Sequence, residues 1–301
     1  MPTAAKRNRK KSTTFTKSVE IVRSESLSGI PWLVHGFSTR QGGVSTCYGG
    51  KTLNLGLTSD NTQNVERNRA LFLETVGAVN DDGSVWPLVQ VRQIHSAMIH
   101  RINVVPGHAP TGDGMITATP ELLLAIKTAD CVPVLVADAK RRVVGAFHAG
   151  WRGTVARIVA KGVGEMRWLF GSAPCDLRAV IGPCIRKCCY AVGAEVRTEF
   201  ESQFNYTGEL FEEVFDSNAI HIKYPMLFLN QRAPGHGDLG PEIHLDLVAA
   251  NHRQLEDAGL RKEHIAVVEG CTACDTARFF SHRAEFGKTG RMMAVIGIRP
   301  E

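Results

Sequence analysis

Nowhere in the 301 residues is there a run of about 18 apolar residues, which excludes a membrane-spanning helix. No internal repeat is visible, and no low-complexity stretch beyond the N-terminal arm. Cysteine is scarce: eight in the whole chain are too few for a disulfide scaffold. The basic residues at the start are not followed by an apolar segment, so they do not read as a secretory signal. A reducing cytoplasm is therefore expected, where cysteines serve as core, catalytic or metal-binding groups. The body also lacks charge of one sign. Lys6, Arg7, Arg9, Lys10, Lys11 and Lys17 against Glu20 give the first 20 residues the whole formal excess of +5, leaving 29 basic and 29 acidic groups beyond them. That balance gives no electrostatic case for nucleic acid as a partner of the body.

What is present is a composition of 44% apolar and 22% charged residues, enough to bury a full core. Residues 1–20 read as a solvated, disordered arm, and residues 21–301 as one domain, since no linker divides them. Strand-like runs rich in β-branched residues are predicted at Leu88–Ile94, Met98–Val105, Leu122–Lys127, Val132–Val136, Val143–Phe147, Leu177–Ile181, Ile265–Glu269 and Met292–Ile298. Helical spacing is predicted at Val65–Val76, Val155–Phe170, Ala194–Phe204 and Leu247–Ala258, with Arg157, Lys161 and Arg167 on a solvated face of the second. Many strands, several short connections and about four helices do not alternate as βα units. The expected fold class is α+β, with mixed sheets flanked by helices. Residues 205–243, with Pro225, Pro234, Gly235, Gly237, Gly240 and Pro241, read as a long irregular segment.

Three segments each set a soft or borderline metal ligand at the end of a predicted strand. Gln93-Ile94-His95-Ser96 closes the first run, where Val89, Val91, Gln93 and His95 would share a face. Thr128-Ala129-Asp130-Cys131-Val132-Pro133 turns between two apolar runs. His148-Ala149-Gly150-Trp151-Arg152-Gly153-Thr154 leads from a strand into a helix expected to start near Thr154. Small residues there permit close backbone approach, and amides at a helix N-terminus beside Arg152 suit an anion. The separations, 36 and 17 residues, are not a short metal motif. Taken singly, each ligand reads more readily as a core or capping residue.

Beyond these, H-A-G-W-R-G at 148–153, T-A-D-C-V-P at 128–133, I-G-P-C-I and Y-A-V-G within 181–193, and F-F-S-H-R-A and G-R-M within 279–292 form an ordered set. S-T-R-Q-G-G-V-S at 38–45 and N-L-G-L at 54–57 precede it. From about Gly36 to Ile298 the chain resembles the multicopper polyphenol oxidoreductase (laccase-like) family. The resemblance implies a zinc-dependent purine nucleoside phosphorylase acting on purine nucleosides and phosphate. It also implies one compact domain similar in fold to the cytotoxic necrotizing factor toxins. A His-Cys-His zinc site, serving as both metal ligands and catalytic residues, falls on His95, Cys131 and His148, a ligand set zinc favours. Arg40, Asn54, Arg152, Ser281 and Arg283 are polar residues of the motifs and are expected to contact phosphate or ribose. For the arginines the plainer reading is an ion pair that holds loops.

Relatives in this family are also linked to adenosine deamination. The usual zinc deaminase signature, H-x-E with P-C-x-x-C, is missing here, so deamination would use another acid–base group. A copper laccase is disfavoured, since none of the 11 histidines forms an H-x-H pair, although copper can compete for such ligands. A metal-free hydrolase with Cys131 as nucleophile and His148 or His95 as base is an alternative. So is a peptidoglycan-editing hydrolase acting on a muropeptide precursor. Cys184, Cys188, Cys189, Cys271 and Cys274 offer thiols for a closed zinc site, but ordinary core cysteines are the preferred reading.

Overall fold

The structure, a computed structural model, describes residues 18–224, 226–228 and 240–301. The arm through Lys17, and Pro225, Pro234, Gly235 and Gly237, lie outside the described residues. Strands with apolar side chains on both faces must be covered on both faces, and two sheets stacked between helices meet that demand. One sheet has the order β1 (Ile21–Val22), β2 (Leu33–Ser38), β14 (Met292–Ile298), β6 (Leu123–Thr128), β3 (Leu88–Gln90). The other runs β13 (Ile265–Val267), β9 (Leu177–Ile181), β7 (Val132–Asp138), β8 (Val143–Ala149), β5 (Gly114–Thr117), β4 (Ile99–Arg101). Both contain parallel and antiparallel pairs, as the α+β reading expects.

Alternation within single strands separates the layers. Ala294, Ile296 and Ile298 of β14 join Leu135 and Ala137 of β7 in the core between the sheets. Met293 and Val295 point the other way, onto Phe72, Leu73 and Val76 of helix α2 (Thr62–Val76). Val134 and Val136 of β7 face Ile158, Val159, Val163 and Met166 of helix α4 (Ile158–Phe170) and Leu255 of helix α8 (Leu247–Asp257). The order of layers is helix, sheet, sheet, helix. Among the described residues no helix is long and apolar enough to cross a membrane.

Several boundaries differ from the sequence reading. The helix expected over Val155–Phe170 is two helices: a single turn α3 (Trp151–Val155), then α4, separated at Arg157 with φ +61°. Gln254 of α8 donates to the Thr154 carbonyl at 2.8 Å, and Asn251 donates to the Thr154 hydroxyl at 3.0 Å. This grip competes with the i+4 bond that would continue the helix. The exposed face with Arg157, Lys161 and Arg167 is present. The segment 205–243 is not wholly irregular: α6 (Thr207–Leu210), β11 (Phe211–Val214), α7 (Ala219–Lys223) and the start of β12 (Glu242–Leu245) lie within it. β12 lies between β11 and β10 (Ala191–Val192) and pairs with both in a small third sheet beside α5 (Ala194–Gln203). β2 and the short α1 (Glu25–Ser28) were not anticipated. His35 hid β2 from its apolar pattern: burial, with Arg23 near, lowers it to about 4, and its neutral ring accepts the Ser24 amide.

Phe147, the residue before His148, is fully buried against Gly162 of α4. A Cβ on Gly162 would stand 2.3 Å from the Phe147 ring, whereas one on Gly164 would meet nothing within 4 Å. Helix propensity alone favours alanine at either site by about 1 kcal/mol. Packing reverses the sign at the first. Gly162→Ala is expected to destabilise by about 1–3 kcal/mol, and Gly164→Ala to stabilise by up to about 1 kcal/mol. Denaturant titration of both variants checks this; equal shifts of the same sign would show that Phe147 does not set the helix approach.

Candidate functional site

The register of the central hairpin brings two candidates together. β7 pairs antiparallel with β8 so that Val132 faces Ala149 and Pro133 faces His148. Cys131, one residue before β7, and His148, near the end of β8, therefore meet at one end of the sheet. His148 shares the inter-sheet face of β8 with Val144 and Ala146, by strand alternation.

His95 arrives differently from the sequence expectation. β3 stops at Gln90, so Gln93 and His95 do not extend its face. The Gln93 side chain continues the pairing instead, donating to the Lys127 carbonyl and accepting from the Lys127 amide at 2.8 and 2.9 Å. His95 then adopts φ +60°, a left-handed conformation uncommon for a non-glycine residue.

Asp113 holds that turn. It is fully buried just before β5 and accepts five hydrogen bonds. One oxygen takes the His95 amide at 3.0 Å and His148 Nδ1 at 2.8 Å. The other takes the Ile94 and Ser96 amides and the Ser96 hydroxyl. Burial works against the Asp113 charge. The bonds from His148 and Ser96 overcome it and hold the carboxyl well below the usual carboxylate range.

The three ligand atoms of His95, Cys131 and His148 lie within 4.8 Å of one another, and Cys131 Sγ is 3.9 Å from His95 Nε2. A tetrahedral zinc ion would set such a sulfur and nitrogen about 3.6 Å apart. With Nδ1 of His148 on Asp113, Nε2 is the nitrogen left for a metal, the usual carboxylate-supported arrangement. The donor set fits one borderline metal ion. His148 is buried and His95 exposed, so the cluster opens on one side. Gly150 makes this closeness sterically feasible: a Cβ there would lie 2.9 Å from the His95 ring and 3.1 Å from Cys131 Sγ.

Electrostatics bind the group together. Burial would raise the Cys131 thiol, but His148 and His95 beside it bring it down to about 6. Burial would lower His148, but Cys131 and Asp113 raise it to about 9. Asp130, immediately before Cys131, has φ +90°; its carboxylate accepts the Thr272 hydroxyl at 2.6 Å and the Arg283 amide at 2.7 Å. A strained residue fixed from both carboxylate oxygens aims Cys131.

The second-tier candidates divide. Arg283 donates to the Ala191 carbonyl and lies over the Tyr190 ring. Burial chiefly raises the Tyr190 hydroxyl; Cys131 adds to that shift, and Arg283 and Arg152 oppose it, so these groups are neighbours. Arg152 is exposed and stacks on Trp151, 4.2 Å from its centroid. The helix beside it begins at Trp151, with Gly150 at its N-cap, rather than near Thr154.

Arg40, Asn54 and Ser281 are instead spent on loops. Arg40 pairs with Glu285 at 3.0 Å and donates to Thr276 and Tyr48 carbonyls. Asn54, fully buried, binds Gly56, Asp60 and the Arg291 amide. Ser281 is fully buried and its hydroxyl accepts the Ala284 amide. Their polarity serves internal turns, the plainer of the two readings for Arg40. Sequence reasoning missed Asp113 altogether; its one signal is an Asp between two glycines at 112–114, directly before the apolar Met115-Ile116.

Residues 34–299 match the family described as multi-copper polyphenol oxidoreductase laccase. A purine nucleoside phosphorylase of Deinococcus radiodurans is 37% identical over 273 residues, covering 88% of each chain. An adenosine deaminase, RL5, from an unknown prokaryotic organism is 30% identical over 92% of this chain and 94% of its own. The crystal structure of the hypothetical protein YfiH of Bacillus licheniformis superposes with a TM-score of 0.74 at 33% identity, covering 89% of this chain and 93% of the other. With the match spanning nearly the whole described body, the chain belongs to the multi-copper polyphenol oxidoreductase laccase family.

Proposed function

We propose that the protein is a zinc-dependent purine nucleoside phosphorylase of the cytoplasm, with adenosine deamination as a side activity. Adenosine, inosine or methylthioadenosine would be cleaved by phosphate to the free base and the pentose 1-phosphate. The observation that carries this reading is the convergence of His95, Cys131 and His148 beside two guanidinium groups. The relatives described as purine nucleoside phosphorylases support it.

His95, Cys131 and His148 would hold the metal. When bound, zinc supplies a Lewis acid with a coordination position not taken by protein. Asp113 orients His148 and keeps Nε2 directed at the cluster. It also fixes the His95 turn through its amide. Arg152 and Arg283 supply fixed positive charge on the side of Tyr190 and Cys131, suited to orienting a phosphate dianion. Tyr190 stays protonated and offers a hydroxyl donor there. The exposed side at His95 is where a nucleoside would enter.

A second reading has one observation in its favour. Cys131, His148 and Asp113 form a thiolate–imidazolium–carboxylate chain of the kind a metal-free cysteine hydrolase uses. Turnover that persists at full rate after complete removal of metal by a chelator would favour this reading over the first.

Four outcomes are expected. Purified protein should release pentose 1-phosphate from nucleosides only when phosphate is supplied, read by mass spectrometry over a substrate panel. Equal turnover without phosphate, giving free pentose, would reject a phosphorylase. Cys131→Ala or His148→Ala should lose the zinc of this cluster, with activity falling to background. Asp113→Asn should cost about 10–100-fold in metal affinity or activity, and unchanged metal binding in it would remove the orienting role. In metal-stripped protein, alkylation of Cys131 should rise with pH around a midpoint near 6, because the thiolate form appears above that value. Peptide mass spectrometry isolates this cysteine from the others. A midpoint near the ordinary thiol value of about 8.5 would show that the imidazoles do not hold the thiolate.

A further inference from the structure

A second group of soft ligands lies outside the cluster just described. The turn at 186–190, closed by bonds from the Cys189 and Tyr190 amides to the Arg186 carbonyl, places Cys188 and Cys189 on the same side. Adjacent residues in an extended strand would point to opposite faces. Cys271-Thr272-Ala273-Cys274 forms a facing turn, and an isolated parallel bridge joins Cys184 to Cys271.

The four sulfurs of Cys188, Cys189, Cys271 and Cys274 all lie within 4.8 Å of one another. The Cys188–Cys189, Cys188–Cys274 and Cys189–Cys274 separations are 3.7, 3.6 and 3.2 Å. In a tetrahedral tetrathiolate zinc site, with Zn–S near 2.3 Å, each sulfur–sulfur edge is about 3.8 Å. None of these pairs is at the bonding distance of about 2.05 Å that a disulfide requires.

The surroundings of Cys271 also suit a thiolate. The Arg186 amide lies 3.4 Å from Cys271 Sγ, and the Ala273 and Cys274 amides point at the same sulfur. Three N–H groups on one sulfur favour its ionised form. Arg186 itself runs along the same segment, its guanidinium donating to the Gly270 and Val268 carbonyls, and sets a cation beside a site that would carry net negative charge.

We propose that Cys188, Cys189, Cys271 and Cys274 bind a second, structural zinc ion, clamping two turns that flank the Cys131 loop. The Ile185 amide, on the first turn, donates to the Asp130 carbonyl. The Thr272 hydroxyl, on the second, donates to the Asp130 carboxylate. A closed tetrathiolate has no position left for a reactant, so its role is to hold Asp130, and through it Cys131, in place. The preferred reading of these cysteines from sequence, as ordinary core residues, does not account for the exposure of Cys188 and Cys274.

The test uses the full chain, purified under reducing conditions and equilibrated with zinc before excess metal is removed. Elemental analysis should find two zinc ions per chain. The Cys188→Ser/Cys274→Ser variant should bind one, and Cys131→Ala should also bind one. Replacement of zinc by cobalt(II) in the wild-type chain gives a readout independent of whether any variant folds. Sulfur-to-cobalt charge transfer should match five thiolates in total, four of which survive in Cys131→Ala. One zinc in the wild-type chain, lost in Cys131→Ala, would overturn the proposal. So would a cobalt spectrum with a single thiolate, or alkylation and mass analysis showing a Cys189–Cys274 disulfide in the zinc-equilibrated protein. Because the two sites lose metal in different variants, failure of one leaves the other separately tested.

Discussion

The site rests on a single buried carboxylate. Asp113 is removed from water and stays charged only because five donors converge on it, four of them from residues 94–96 and one from His148. An unpaired charge at that depth would cost several kcal/mol, so the loop of His95 and the ring of His148 are drawn to it together. The left-handed turn at His95 is tolerated because the carboxylate offers its amide a partner. Without that anion, two histidines from different parts of the chain would have no common reference point.

A parallel arrangement governs Cys131. Asp130 bears φ +90° and spends both carboxylate oxygens on residues about 140–150 positions further on. Gly150 adds the steric permission, since any side chain there would occupy the space between His95 and Cys131. The close approach of His95, Cys131 and His148 thus depends on two strained residues and one missing Cβ. The sheets hold all three at a common edge, where the β7–β8 hairpin ends.

Much of this was legible in the chain. Met292–Ile298 is delimited to the residue because both faces of the strand are buried, which leaves an uninterrupted apolar run, and Leu177–Ile181 is delimited likewise with only the half-buried Arg178 breaking its run. His95, Cys131 and His148 were visible within their motifs, and the structure places their side chains within 4.8 Å of one another. Other features depend on partners remote in sequence. The break at Arg157 follows from a grip on Thr154 by Asn251 and Gln254, nearly 100 residues away, and no local pattern carries it. β5 was hidden by the glycines around Asp113, and β2 by His35. Nor does a motif distinguish an arginine that faces a site from one that braces a loop. Arg40 and Arg283 both lie in shared motifs, yet Arg40 is consumed by Glu285 and two carbonyls.

The position of β14 bears on how the chain is made. It is the last of the strands among the described residues, yet it lies between β2 and β6 in the middle of its sheet. Until residues 292–298 have left the ribosome, those two strands lack their shared neighbour and present open hydrogen-bonding edges. Asp130 likewise waits for Thr272 and Arg283. A nascent chain interrupted between His148 and Thr272 therefore carries His95, Cys131 and His148 but neither the strand that joins β2 to β6 nor the anchors of Asp130. Translation must pass β14 before this sheet can fold cooperatively, and a chain cut short of it retains the open edges of β2 and β6.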